Sequence, residues 1–356
     1  MRIAQIMFSD GWGGAERLFV ELCIGLASER HEILMVCKPG FKHGKLIKRQ
    51  PNIRYLTVPA ICNWDYWSVI KLKKIVQEFR PDLMHAHLSR ASWMTAVVGS
   101  RLGVPTISTT HNRIKEKYIR NINYFTTITS ELRSYLEKLG IESERIQQIP
   151  NFSLVKPVHA PSSTRHTPMM FIAIGRFVAK KGFDLLLDAF KRYTDVATVE
   201  ARLMIAGSGP LEQMLHNQAK ALGIDKLVDF CGWVDDVSSF IDRGDIFVLP
   251  SRDEPFGIVL LEAMARGKPI IASRVSGPLD FLDDTTAFFV RAGDVGDLSR
   301  AMLEAADVSD TCCAKAGAAL QLFCAKYTME AVLPRFIGFY EGVLSVTEQY
   351  TENREL

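Results

Sequence analysis

The sequence predicts an α/β protein built from two Rossmann-like, parallel-sheet domains that face each other across a central cleft. Its 356 residues exceed the range in which one hydrophobic core usually keeps growing, so two domains of roughly 150 to 200 residues are expected. Short apolar runs alternate with helical patterns, which is typical of a parallel sheet covered by helices on both faces. The alternation stops near Pro150 and begins again near Met169.

The first domain is predicted over residues 1–150. Amphipathic patterns predict helices there at 14–29, 66–79 and 92–103. Apolar runs predict its strands at 2–8, 32–38, 53–58, 83–87, 106–111 and 124–129.

Residues 151–168 carry three prolines and three serines without apolar periodicity, which indicates an interdomain linker. The second domain is predicted over residues 169–327, and residues 328–356 form a C-terminal helical segment. We expect its long helix to be broken at Pro334 and to cross back to the first domain. The strands of the second domain are predicted at 169–175, 201–207, 227–232, 246–251, 269–273 and 287–290.

Composition limits the class of protein. A composition of 47% hydrophobic and 23% charged residues is typical of a soluble globular protein. No apolar run approaches the roughly 20 residues of a membrane-spanning helix, and no signal peptide is recognised, so a cytoplasmic location is expected. Seven scattered cysteines without C-x-x-C spacing argue against a disulfide framework and a structural zinc site.

The charge is divided unevenly between the two halves. Residues 1–150 hold 22 Lys and Arg against 13 Asp and Glu (+9), and residues 151–356 hold 21 against 27 (−6). A basic first half suggests an anionic partner, but the acidic second half and the lack of a recognition motif argue against nucleic acid. Within residues 38–74, basic residues are interleaved with Trp64, Tyr66 and Trp67, which suits either an anionic membrane surface or a solvated face.

Ligands of open parallel sheets bind at the carboxyl ends of the strands. Gly13 and Gly14 follow the first strand and open a helix, so a phosphate could approach the backbone there, although a plain turn explains them equally. In the loop "GRFVAKKG", Arg176 and Lys181 could both point at a diphosphate, or form a solvated basic turn. Gly209, in "AGSGP", allows close approach of a ligand or simply a tight turn.

The segment "SRDEPFGIVLLE" (251–262) places Glu254 in a loop and Glu262 in an apolar helix that is predicted to begin near Phe256 or Gly257. If most of the intervening residues are helical, the two carboxylates are roughly 10–12 Å apart along the axis. Glu262 is then either an exposed position or a buried carboxylate, and its apolar neighbours favour the second. The vicinal hydroxyls of a ribose would satisfy a buried carboxylate.

These motifs resemble a retaining glycosyltransferase of family 4, with the GT-B fold and the E-x7-E motif. The resemblance runs over essentially the whole chain. It is carried by "GGAER", "HAH", "TTHN", "IPN", "GRFVAKKG", "IAGSGP", "CGWVDDV" and "EPFGIVLLEAMARGKPIIAS".

The resemblance implies a role for each matching residue. Glu254 would contact the donor sugar and Glu262 the ribose, while Arg176 and Lys181 would neutralise the departing diphosphate. His111 would lie near the reacting sugar. The other implied donor-binding residues are Gly13, Gly14, Gly209, Trp233, Val234, Phe256, Gly257, Ile258 and Val259.

The resemblance also implies front-face attack on a nucleotide-diphosphate sugar, most readily a UDP-sugar, with no metal or other cofactor. The acceptor would be a glycan or a lipid-linked acceptor of cell-envelope or lipopolysaccharide synthesis, met at the inner face of the membrane. His85 and His87 raise a metal pair as an alternative, but few other ligands accompany them, which favours structural or acceptor roles.

Two other functions fit the same fold. A sugar-nucleotide 2-epimerase would use a similar cleft without an acceptor. An inactive glycan- or nucleotide-binding protein would keep the fold, although intact Arg176, Lys181, Glu254 and Glu262 argue against it.

Overall fold

The computed structural model describes residues 1–11, 13–41, 50–62, 64–162, 165–307 and 310–355. The chain divides into two compact units, residues 1–152 with 329–356 and residues 153–328. All seven cysteines are free. None of the described helices is both long and apolar enough to cross a membrane.

The first unit has a parallel sheet of seven described strands in the order β3-β2-β1-β4-β5-β6-β7. The strands are β1 Arg2–Met7, β2 Glu32–Cys37, β3 Ile53–Thr57, β4 Leu83–His87, β5 Thr106–Thr110, β6 Tyr124–Thr127 and β7 Ile146–Gln148. Its described helices are α1 Gly14–Ser28, α2 Tyr66–Phe79, α3 Ser89–Leu102 and α4 Ser130–Lys138. Apolar residues pack on both faces of the sheet, and β4, β5 and β6 also carry buried polar side chains.

The second unit has a parallel sheet of six described strands in the order β10-β9-β8-β11-β12-β13. The strands are β8 Met169–Ile174, β9 Ala201–Ala206, β10 Val228–Gly232, β11 Ile246–Leu249, β12 Ile270–Ser273 and β13 Phe288–Val290. Its described helices are α5 Phe183–Val196, α6 Glu212–Ala221, α7 Val237–Asp242, α8 Ile258–Ala265, α9 Ser276–Leu279, α10 Val295–Ala306 and α11 Asp310–Lys326. The order reverses at β8 and β11, and such switch points hold the ligands of open α/β sheets.

The last helix, α12, spans Met329–Glu355 and packs in the first unit. Apolar side chains from Val332 to Val343 join the core that β1 and α1 form. The expectation that Pro334 breaks this helix is wrong, because the helix continues through it. A proline removes one backbone donor, and the packed side chains on either side hold the remaining turns in place.

Of the predicted linker 151–168, residues 151 and 152 belong to the first unit, and the described residues from 153 onward are attached to the second. The Val158 N–H donates to Ala265 O at 2.9 Å, and the Ser153 N–H donates to Tyr327 O at 3.1 Å. The His166 N–H donates to Asp245 Oδ1 at 3.1 Å. These bonds fix the segment against the unit that follows it in the chain.

Candidate functional site

The loop between β8 and α5 passes very close to the loop that follows β11. A 3-10 turn, Ala179–Lys181, ends at Gly182, whose φ is +67°. A Cβ at Gly182 would lie 2.1 Å from Pro250 O. Glycine is therefore required here both by the backbone conformation and by the closeness of the two loops.

Arg252 ties the same two loops together. Its guanidinium donates to both carboxylate oxygens of Asp184, at 2.7 and 2.6 Å, and to Ala179 O at 2.9 Å. Its backbone N–H donates to Lys180 O at 2.8 Å. Asp184 lies in the first turn of α5, where the helix dipole also favours a carboxylate. This bidentate ion pair positions the loop that carries Lys181.

Lys181 and Glu254 are brought into direct contact. Lys181 Nζ donates to Glu254 Oε2, and the two side chains are 17% and 7% exposed. Ser251 Oγ also donates to Glu254 Oε2, at 3.4 Å. The sequence pointed to both charged residues, but the bond between them was not predicted, because they are 73 positions apart.

Arg176 lies in the same loop as Lys181 and is exposed. Its backbone O accepts from the Val178 N–H at 2.8 Å, whereas its guanidinium makes no ion pair or hydrogen bond within the described chain. Its guanidinium is therefore available to a ligand at this edge of the sheet.

The backbone around Glu254 is held by α9. The Gly277 N–H donates to Glu254 O at 3.0 Å, and a Cβ at Gly277 would lie 2.3 Å from that oxygen. Phe256 is buried and stacks on Phe281, with ring centroids 4.8 Å apart. The loop therefore has a defined path on both sides of Pro255.

The helix that carries Glu262 begins at Ile258, and Gly257 precedes it with φ +93°. The helix therefore begins one or two residues later than the expected start near Phe256 or Gly257. Because Glu254 to Gly257 are not helical, the helical rise applies only from Ile258 onward and covers about 6 Å. The 10–12 Å estimate counts seven to eight helical steps between the two glutamates, whereas the structure has four.

Glu262 is fully buried, with 0% of its surface exposed. Around it in α8, Ile258 is also buried and Val259 is partly buried. Of the two interpretations of Glu262, the buried carboxylate is confirmed. Such a group requires polar partners, since an ionised carboxylate in an apolar interior is costly.

Gly209 packs against the loop of Arg176 and Lys181. The Phe177 N–H donates to Ser208 O at 2.9 Å, and a Cβ at Gly209 would lie 2.6 Å from Phe177 O. The close packing of these two loops is therefore sufficient to explain why residue 209 is a glycine. The same holds for Gly207, two residues earlier, where a Cβ would lie 1.9 Å from Gly175 O.

Trp233 and Val234 follow β10 in the second unit. Trp233 is 51% exposed, and its indole N–H donates to Asp235 Oδ1 at 3.1 Å. Val234 is partly buried. The exposed indole face lies in the loop at the carboxyl end of its strand.

Gly13 and Gly14, in the first unit, stand where β1 leads into α1. The Gly13 N–H donates to Glu16 Oε2 at 2.9 Å, and Ser9 Oγ donates to Glu16 Oε1. The carboxylate of Glu16 thus already satisfies one of the free amides at this helix N-terminus. A phosphate would share this end of the helix with Glu16.

His111 follows β5 in the first unit and is 7% exposed. Its Nε2 lies 3.1 Å from His87 Nδ1. Burial lowers the pKa of His111 to about 3 and that of His85 to about 3, and it lowers the pKa of His87 well below its usual range. All three rings are therefore neutral at pH 7.

Three supporting residues were missed from the sequence. Arg252 was read only as part of a charged loop, and Gly277 gave no signal. Gln5 did give one, because it is a single amide within the otherwise apolar run "IAQIMF". No group of three or more His, Cys, Asp or Glu side chains suited to a metal ion occurs in the described part of the chain.

Comparison with known proteins identifies the class of protein. Residues 12–152 match the family described as Glycosyltransferase Family 4, and residues 156–312 match Glycosyl transferases group 1. The lipopolysaccharide core biosynthesis glycosyltransferase LpsE of Rhizobium meliloti (strain 1021) is 30% identical over 312 residues, covering 85% of this chain and 88% of that protein. The chain belongs to the family 4 glycosyltransferases and is a glycosyltransferase.

Two further relatives extend the comparison. The structure of Anabaena HepE in complex with UDP and glucose has a TM-score of 0.83 at 17% identity, covering 96% of this chain and 100% of that chain. This confirms the predicted α/β class, with two parallel-sheet domains of the GT-B type. The Escherichia coli UDP-Gal:alpha-D-GlcNAc-diphosphoundecaprenol alpha-1,3-galactosyltransferase is 22% identical over 344 residues, covering 86% of this chain and 88% of that protein.

Proposed function

We propose that this glycosyltransferase transfers a sugar from a UDP-sugar to a glycan or lipid-linked acceptor of the cell envelope, with retention and without a metal ion. The observation that carries the proposal is the meeting of Lys181 and Glu254 at the carboxyl edge of the second sheet, with Arg176 exposed in the same loop. Two cationic side chains, Arg176 and Lys181, suit the diphosphate of a nucleotide sugar, and the carboxylate of Glu254 suits the hydroxyls of the attached sugar.

Each charged group has a distinct task in this reaction. Arg176 and Lys181 stabilise the negative charge that develops on the departing diphosphate, which a bound metal does in other enzymes. Glu254 accepts hydrogen bonds from the donor sugar, and Glu262 binds the ribose. His111 lies near the reacting sugar, and the leaving phosphate helps to deprotonate the acceptor hydroxyl on the same face.

The names of two relatives support the donor and the acceptor. LpsE is named for lipopolysaccharide core synthesis. The Escherichia coli enzyme is named for transfer from UDP-Gal to a sugar on diphosphoundecaprenol. A nucleotide sugar and a lipid-attached glycan are thus the substrate classes that we propose here.

Activity assays with purified protein test the reaction. We expect release of UDP from one member of a panel of UDP-, GDP- and dTDP-sugars only when an envelope glycan acceptor is present, equally with and without EDTA. Proton NMR of the product should show the anomeric configuration of the donor. Isomerised sugar nucleotide from donor alone would instead identify an epimerase, and tight UDP binding without turnover would identify a binding protein.

We further propose that the enzyme attaches to the inner face of an anionic membrane through an exposed apolar surface. This surface is made of Ile61, Trp64, Tyr66, Trp67 and Ile70. Trp67 and Ile61 are 82% and 80% exposed. The helix α2 that carries Trp67 continues with basic residues at 71, 73 and 74. Basic residues beside exposed aromatics favour an anionic lipid surface over water.

Lys38 and residues 42–49 of the basic segment are not part of this surface, whereas Trp64 is a fixed part of it. Lys38 is paired with Asp10, at 2.5 and 2.6 Å, so its charge is already neutralised. Residues 42–49 lie outside the described residues. Trp64 is held in place by Tyr118, whose ring stacks on it at 5.8 Å, and by Lys117 Nζ, which lies 5.5 Å above it.

Liposome flotation tests the attachment. At low salt the protein should float with vesicles of phosphatidylglycerol and phosphatidylcholine but not with phosphatidylcholine alone. The double variant Ile61→Ser/Trp67→Ser should lose flotation while the control Val196→Ser, at a site 67% exposed in the second unit, keeps it. No flotation of the wild-type protein at low salt would exclude this surface as a lipid anchor.

A further inference from the structure

A row of polar side chains is buried on one face of the first sheet. Gln5 lies opposite His85 in the pairing of β1 with β4, and His87 follows two residues later on the same face. These three side chains and Tyr340 of α12 have 0% of their surface exposed. Because the row is buried beside the apolar core of this face, it is stable only where its polar atoms are hydrogen-bonded.

The row leads from the C-terminal helix to His111. Gln5 Nε2 donates to Tyr340 Oη at 3.2 Å, and Gln5 Oε1 lies 3.0 Å from His87 Nε2. His87 Nδ1 in turn lies 3.1 Å from His111 Nε2. Three bonds thus join Tyr340 to a residue at the carboxyl edge of the sheet.

The chemistry of each atom assigns the protons. An amide oxygen only accepts, so His87 Nε2 donates to Gln5 Oε1. The His87 ring is neutral and has one N–H, so its Nδ1 accepts, and the donor is His111 Nε2. Since burial lowers the pKa of His111 to about 3, that ring is also neutral and its Nδ1 carries a lone pair.

On the other side of Gln5, the same amide orientation sets the direction of two more bonds. Tyr340 Oη accepts from Gln5 and lies 2.7 Å from His85 Nδ1, to which it donates. His85 Nε2 then donates to Thr109 Oγ1 at 2.7 Å. Every bond in the row has one donor and one acceptor. Rotating the Gln5 amide by 180° would reverse all of them and put the proton of His111 on Nδ1.

We propose that Gln5, His87 and Tyr340 are positioning residues that hold His111 with its proton on Nε2, so that Nδ1 accepts a hydrogen bond from a sugar hydroxyl. The proposal rests on the proposed function for the identity of that ligand. Within the described residues, no protein atom donates to His111 Nδ1. The C-terminal helix therefore acts on the reaction from a distance, through the tautomer of one ring.

The tautomer is measured directly, without substrate. Long-range proton–nitrogen NMR of the full-length protein labelled with nitrogen-15 in histidine separates Nε2–H from Nδ1–H rings. We expect His87 and His111 to be Nε2–H at pH 7. A His111 ring with its proton on Nδ1, or on both nitrogens, would overturn the proposal even if the enzyme transfers sugar as proposed.

Two variants test whether the row acts on His111. Gln5→Met and Tyr340→Phe should give His111 in both tautomers and lower kcat about tenfold and threefold, with the KM for the nucleotide sugar within twofold. Tyr193→Phe is the matched control, because it also deletes a buried hydroxyl, which donates to Val199 O at 3.0 Å in the second unit.

The control should lose stability without a change in kcat. If Gln5→Met and Tyr340→Phe lower the melting temperature but leave the His111 tautomer and the kcat of the folded protein unchanged, the row is only structural. A wild-type protein without transferase activity, but with the expected tautomer, would contradict the proposed function and leave this assignment standing.

Discussion

Lys181 and Glu254 form a largely enclosed ion pair at the carboxyl edge of the second sheet. They come from loops that follow β8 and β11, which are paired neighbours in that sheet. An arriving diphosphate competes with Glu254 for the lysine ammonium, and a sugar hydroxyl competes with Lys181 for the carboxylate. We therefore expect donor binding to exchange this internal pair for two contacts with the ligand.

Replacing Lys181 with Ala should lower kcat by about 100-fold, because removing one preorganised group that stabilises developing charge has an effect of that size. Arg176→Ala should act in the same direction. Lys180→Ala is the matched control, since Lys180 is the neighbouring exposed lysine and lies 3.9 Å from Asp253. Normal turnover in the Arg176→Ala/Lys181→Ala double variant would remove both residues from leaving-group stabilisation.

Glu262→Ala should weaken UDP binding by about tenfold or more, because a charged acceptor to a ribose hydroxyl contributes roughly 1.5–3 kcal/mol. Glu262→Gln keeps an acceptor without the charge and should lie between Ala and the wild type. Isothermal titration calorimetry with UDP measures the affinity. Glu304→Ala, at an exposed glutamate of α10, serves as the control and should bind UDP normally. Equal affinity in all four proteins would contradict a ribose contact.

Gly182→Ala should destabilise the second unit more than Gly223→Ala does. Both glycines have φ near +68°, but a Cβ meets Pro250 O at Gly182 and nothing within 4 Å at Gly223. The left-handed backbone costs about 1–2 kcal/mol in either variant, and overpacking adds roughly 1–3 kcal/mol at Gly182 alone. Urea unfolding of both proteins gives the difference. Equal losses would show that the two loops separate without cost.

The first unit should lose stability as the pH falls below about 6.5. The folded-state pKa of His85 and of His111 is lowered to about 3, so the native state stays unprotonated where the unfolded chain takes up protons. Each such histidine contributes stability that is fully present above pH 6.5. It is lost at about 1.4 kcal/mol per pH unit as the pH falls toward 3.

Urea unfolding between pH 7.5 and 5.5 measures this slope. In a Trp233→Phe background every remaining tryptophan belongs to residues 1–152, so fluorescence reports on the first unit. A midpoint that does not move over this range would mean that the histidines become protonated in the native state.

The sequence by itself determined the two parallel sheets, because a strand buried on both faces must be apolar and each crossover needs a helix. It also located Arg176, Lys181 and Glu254, since a parallel strand delivers its following loop to one edge of the sheet. Those are local properties of the chain.

Contacts between distant segments were decided only by the tertiary structure. The Arg252 contact with Asp184, the packing of Gly209 on Phe177 and the bonds that join Gln5 to His87 and His87 to His111 link residues between 24 and 82 positions apart. No pattern of apolar residues encodes such pairs, because they depend on which loops and faces packing brings within hydrogen-bond distance. The continuous helix through Pro334 has the same cause, since its packed side chains outweigh the loss of one backbone bond.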